Sequence, residues 1–66
     1  MTIDKVLELI AREIVKAGNQ KAFGDMFGYE QGYISQIISG KREIPQAILD
    51  YIGVERVENV TYRRKK

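Results

Sequence analysis

Residues 19–42 read NQKAFGDMFGYEQGYISQIISGKR, and the punctuation of this stretch decides the fold. Asn19 suits a helix N-cap, because its side-chain oxygen can accept from an unpaired amide of the first turn. A short helix is therefore expected over 20–27, with Phe23, Met26 and Phe27 as its apolar face. Gly28 stops it and supplies the positive φ that a tight turn requires. Another helix is expected from about Gln31 to Ser39, with Ile34, Ile37 and Ile38 turned inward and Gly40 ending it. Two helices joined by so short a turn cross closely near position 24. Only a small residue fits there: alanine or glycine permits the approach, and anything larger forces the helices apart. Ile34 is the knob that locks the second of the pair against the first.

Working outward, Ile3, Leu7, Ile10 and Ile14 recur at helical spacing, with Val6 and Ala17 on the flank of the stripe. Thr2 caps this expected helix, Asp4 suits its first turn, and Gly18 ends it near Ala17. After the polar loop 41–44, Pro45 is expected in the first turn of a last helix running to Tyr51 or Ile52, where its missing N–H costs nothing. That helix is expected to bury Ile48 and Ile52 before Gly53 closes it. From Val54 to Tyr62 the chain alternates, with Val54, Arg56, Glu58, Val60 and Tyr62 on one side, and Val57, Val60, Thr61 and Tyr62 favour strand. A lone strand is unstable in water. Two readings stand for this segment: pairing with its twin across a dimer axis, or packing in extended form on its own helices. The expectation is a mainly α fold of four to five helices over 1–54, followed by a short extended or β segment and a basic tail over 55–66.

Composition excludes more than it assigns. The 66 residues allow one domain, and they contain neither cysteine nor histidine. Disulfides, Cys/His zinc sites and histidine-based triads are thereby ruled out. No metal, cofactor or small-molecule ligand is expected. No apolar run approaches a membrane span, and the N-terminus lacks the basic start and apolar run of a secretory signal, so a soluble, cytoplasmic chain is expected. The net charge is +2, but four of the eleven basic residues are Arg63, Arg64, Lys65 and Lys66, and the rest of the chain holds seven basic residues against nine acidic ones. Any nucleic-acid binding must therefore come from a local surface. The tail itself reads equally as a frayed solubilising end or as a DNA-binding arm.

The 19–42 stretch, followed by Glu43-Ile44-Pro45 and Ala47-Ile48-Leu49-Asp50-Tyr51-Ile52-Gly53-Val54, resembles the helix-turn-helix of phage repressors, Cro proteins and their bacterial relatives. The resemblance covers about residues 3 to 54 and implies a lambda-repressor-like domain. It also implies roles position by position. Gln31 matches the leading base reader of the recognition helix, with Gly32, Ser35 and Gln36 on the same base-contacting face. Gln20 matches the glutamine that touches a phosphate and braces that reader, and Asn19, Lys21 and Tyr33 flank the same backbone contact. Lys41 and Arg42 match the loop that grips the backbone. The chemistry is reasonable in its own right: a glutamine can bond bidentately to adenine N6 and N7 in the major groove. Phosphate contacts position a protein, whereas base contacts specify sequence.

Several residues depart from the usual pattern. Gly24 stands where alanine is commoner, which lowers helix propensity by roughly 1 kcal/mol. Gly32 either omits a base contact or lets the backbone come closer. Glu30 favours the helix dipole yet repels a nearby phosphate, and it can also accept from a cytosine amino group. Tyr33 can reach a phosphate or a thymine methyl, or pack beside the last helix.

Three function classes compete. The first is a sequence-specific regulator of transcription, a Cro-like phage or prophage repressor that binds a double-stranded DNA operator as a homodimer, since operator half-sites mirror a protein two-fold. The second is a protein-interaction module, antitoxin-like or adaptor, that keeps the fold. The third, an enzyme, finds no support: the carboxylates are scattered, and there is no nucleophile–base pair or phosphate-cradling loop.

Overall fold

A computed structural model describes residues 1–58 and 61–64. Four helices and a two-stranded antiparallel segment follow one another: α1 (Ile3–Ala17), α2 (Gln20–Asp25), α3 (Gln31–Ile38), α4 (Gln46–Ile52), β1 (Val54–Glu58) and β2 (Thr61–Arg64). The fold is mainly α, as expected, with a β segment at the C-terminal end.

The caps sit where their chemistry requires. Thr2 accepts from the Lys5 amide at 3.4 Å, and Asn19 accepts from the Ala22 amide at 2.8 Å. Gly18 closes α1 at φ 115°. Three helix ends differ from expectation. The α-helix of α2 stops at Asp25, not Phe27, because Met26, Phe27 and Gly28 donate to carbonyls three residues back and tighten the last turn. Ser39 is the C-cap of α3, not its last turn. Pro45 is the N-cap of α4 at φ −63° and ψ 150°, one position earlier than a first-turn proline. Its carbonyl accepts from the Ile48 and Leu49 amides.

One core holds Val6, Ile10, Phe23, Ile34, Ile37, Ile44, Ile48, Leu49, Val54 and Tyr62. Its membership corrects the phase of the expected stripes. On α1 the buried line passes through Val6 and Ile10; Leu7 and Ile14 are half-buried and Ile3 is exposed. On α4, Leu49 joins Ile48 inside and Ile52 is only partly covered. Met26 lies at the surface, while Phe27 packs half-buried with its ring edge-on to Phe23 at 5.2 Å.

The C-terminal segment packs on its own helices, as one of the two readings expects, and does so as a hairpin. It folds back on itself as β1 and β2, with Val54 opposite Arg64, Glu55 opposite Arg63 and Arg56 opposite Tyr62, and the register shifts between Arg56 and Glu58. Of the side expected to run through Val54, Arg56, Glu58, Val60 and Tyr62, Val54 and Tyr62 are buried and Arg56 is exposed, while Val60 lies outside the described residues. Arg56 donates to the Ile44 carbonyl at 2.8 Å, and its guanidinium lies 5.9 Å from the Tyr62 ring centre. The Tyr62 amide donates to the Met1 carbonyl at 3.1 Å, which ties the N-terminus to β2. Arg63 and Arg64, expected in a frayed tail or a DNA arm, are strand residues, and Arg63 pairs with Glu55. Lys65 and Lys66 lie outside the described residues. No helix among the described residues is long and apolar enough to cross a membrane.

Candidate nucleic-acid interface

The interface candidate is built on α2 and α3, and Gly24 sets how closely they meet. Its amide neighbourhood is closed by the turn, because the Tyr29 amide donates to the Gly24 carbonyl at 2.9 Å. A Cβ at position 24 would lie 2.6 Å from the Tyr29 carbonyl oxygen and 3.1 Å from Cγ1 of Ile34. The expectation that alanine or glycine would both serve is therefore corrected: the approach leaves room for glycine alone. Ile34 is fully buried against this point, in the locking position expected of it.

With Ile34 and Ile37 buried, α3 turns Gly32, Ser35, Gln36 and Ser39 outward, at i, i+3, i+4 and i+7 of one stripe. Gln31 is exposed at the edge of that face, and Tyr33 is half-buried at the other edge. The outward stripe carries no acidic and no large apolar side chain. Ser39 was not among the expected contacts, although the helical period from Gly32 and Ser35 points to it; its hydroxyl donates to the Gln36 carbonyl at 3.1 Å. Gly32 has an ordinary helical φ, and a Cβ built there meets nothing within 4 Å. The fold supplies no reason for a glycine at that position.

The end of α3 is a Schellman motif. Gly40, at φ 81°, donates to the Ile37 carbonyl at 3.1 Å, and the Lys41 amide donates to the Gln36 carbonyl at 2.9 Å. This folds Lys41 and Arg42 back beside α3, and buried Ile44 anchors the rest of the loop. Lys41 is exposed. Arg42 is engaged: its Nε donates to Oε1 of Gln36 at 2.7 Å, and its guanidinium carbon lies 4.9 Å from the Tyr33 ring centre. Tyr33 in turn meets Tyr29 at 4.8 Å, and Tyr29 stacks on Phe27 at 5.9 Å. A ladder of rings thus runs from the core to Arg42. The Tyr33 ring packs against Tyr29 and Arg42, a placement that none of its expected alternatives named.

The remaining expected contacts are separate side chains at the N-terminal end of α2. Asn19 uses its oxygen as a cap, Gln20 is half-buried, and Lys21 pairs with Asp25 across one turn at 3.3 Å. A surface pair of this kind contributes about 0.3–0.5 kcal/mol and leaves Lys21 easily recruited by a phosphate. Among the described residues, no hydrogen bond joins Gln20 to Gln31. Glu30 begins α3 without a side-chain cap bond. Among the described residues, no group of three or more acidic side chains is placed to hold a metal ion.

Comparisons of the chain with protein-family models, with curated proteins and with solved structures returned no match.

Proposed function

We propose that the chain is a sequence-specific double-stranded DNA-binding regulator of transcription, a Cro-like repressor of phage or prophage type, which acts in the bacterial cytoplasm and inserts α3 into the major groove as one half of a homodimer. The observation that carries this reading is the α2–α3 pair, in which a glycine-only crossing holds α3 with two buried isoleucines and an outward stripe of small and amide side chains. A helix so presented fits the width of the B-DNA major groove. Gln31, Gly32, Ser35 and Gln36 face the bases in this reading. Asn19, Gln20, Lys21, Tyr33 and Lys41 lie at its margins, where they would meet sugar and phosphate. The engaged Arg42 stands between the two groups.

Selection from a pool of random duplexes tests the proposal, comparing wild type with the double variant Gln31→Ala/Gln36→Ala at two salt concentrations. Wild type is expected to enrich one motif. The double variant is expected to lose that preference while keeping salt-sensitive non-specific binding, whose log–log slope is about −0.9 for each phosphate neutralised. No motif, with residual binding abolished by modest salt and by glutamine substitution of the four cations at 63–66, would instead favour the protein-interaction module.

Gly32 offers a second check in which stability and binding move apart. Gly32→Ala is expected to raise unfolding free energy by roughly 0.5–1 kcal/mol, since the methyl meets open space and helix propensity improves. Operator affinity is expected to fall about tenfold, because the methyl enters the space between helix backbone and base edges, at about 1.4 kcal/mol per decade. Denaturant titration and a binding isotherm on the selected duplex measure the two effects. Unchanged or tighter binding would show that Gly32 is not a point of close approach.

A further inference from the structure

Two glutamines lie on the outward side of α3, and their surroundings differ. Gln31 is exposed with no side-chain partner, so its carbonyl oxygen and its amide N–H groups are both available. Oε1 of Gln36 already accepts from Arg42 at 2.7 Å. The same guanidinium is held over the Tyr33 ring at 4.9 Å, and that ring meets Tyr29, which itself stacks on Phe27. Gly40 and the Lys41 amide fix the backbone from which Arg42 extends. The arginine thus approaches Gln36 from a platform rooted in the core.

Resting on the DNA-binding reading above, we propose that Tyr33, Arg42 and Gln36 form one composite base reader with a preference for guanine. Adenine is read by a glutamine that accepts from N6 and donates to N7. The accepting atom of Gln36 is engaged by a cation, and the positive charge beside it disfavours a second N–H donor. What the pair has left to offer is donors: the Gln36 amide N–H groups and the terminal N–H groups of Arg42. Guanine presents two acceptors, N7 and O6, on its major-groove edge, whereas cytosine presents an amino donor and adenine a donor beside its one acceptor. Arg42 therefore acts at the bases through Gln36, in contrast to the phosphate grip that its loop position suggests. Tyr33 is a positioning residue: a face-on ring holds the guanidinium by cation–π attraction and limits the rotamers open to it.

The test uses the full chain with the random duplex pool, followed by titration of the enriched duplex and of its single-base variants at several salt concentrations. Wild type is expected to prefer guanine about tenfold at one base pair, the scale of a good bidentate contact. Gln36→Ala and Arg42→Ala are each expected to relax that same base pair to near parity, and the double variant to relax it no further. Arg42→Lys keeps the charge but lacks the planar fork; it is expected to keep the wild-type salt slope and lose the guanine preference. Tyr33→Phe is expected to retain more of the preference than Tyr33→Leu. An enriched motif that is untouched by Arg42→Ala while the salt slope falls by about one phosphate would overturn the proposal and leave the DNA-binding reading standing. An A·T pair at the position governed by Gln36 would likewise overturn it. Absence of any wild-type motif would overturn both.

Discussion

Phe23→Ala is expected to leave the chain without a cooperative thermal transition. Phe23 is fully buried, edge-on to Phe27 at 5.2 Å and to Tyr51 at 6.3 Å, and shares a core with residues from every helix and from both strands. Deleting a buried phenylalanine side chain costs about 3–5 kcal/mol, through lost transfer energy and the cavity left behind. A core in a chain of this size rarely supplies more than about 3–5 kcal/mol in total. The two quantities are comparable, so the folded state is expected to be lost at 25 °C. Circular dichroism during heating measures this. Phe23→Leu, which keeps most of the volume, is expected to melt cooperatively at a lowered midpoint. A shift of under about 5 °C for the alanine variant, the amount that about 1 kcal/mol produces, would show that the core closes around the missing ring.

Gly24→Ala is expected to destabilise, although alanine is the better helix former. The propensity gain is at most about 1 kcal/mol. Against it stands a Cβ that would lie 2.6 Å from the Tyr29 carbonyl oxygen, a backbone atom held by the Tyr29 amide's own bond to the Gly24 carbonyl. Relief requires that the turn shift or that α3 move away, and overpacking of this kind costs about 1–3 kcal/mol. The net expectation is a loss of up to about 2 kcal/mol, read as a lower denaturation midpoint at unchanged slope. The sign is opposite to that expected for Gly32→Ala. Two glycines in neighbouring helices thus differ in what a methyl would meet: backbone at 24, open space at 32. Equal stability of Gly24→Ala and wild type would show that the turn accommodates the methyl, and the crossing would then lose its claim to hold α3 rigidly.

Much of the interface was legible because its signals are local. The cap oxygens of Thr2 and Asn19 act within one turn of their own position, and Gly28, Gly40 and Gly53 take the positive φ that only glycine adopts cheaply. The outward placement of Ser35 and Gln36 follows from a 3.6-residue period once Ile34 and Ile37 are inside. Ser39 falls on the same stripe, one helical turn beyond Ser35, although a helix end carries little periodic signal of its own. Arg42 is a different case. Its loop position suggested a phosphate grip, and nothing in a one-dimensional pattern shows that a Schellman turn and an aromatic platform bring it within 2.7 Å of Gln36.

The order and approximate bounds of the four helices, the short α2–α3 turn and the polar stripe on α3 were determined by the sequence, because capping, glycine φ and helical period depend on residues a turn or less apart. The tertiary structure alone decided the rest. Periodicity names a stripe but not the element that covers it, so Val6 and Leu49 proved buried where Leu7 and Ile52 had been expected. A small residue at 24 was legible; that only glycine fits depended on where the Tyr29 carbonyl came to rest. The alternation from Val54 to Tyr62 was compatible with one strand or two. The hairpin was selected by contacts distant in sequence: Val54 and Tyr62 in a shared core, Arg56 on the Ile44 carbonyl and the Tyr62 amide on Met1. Such contacts form only between elements already folded and brought together, which is why no local rule anticipates them.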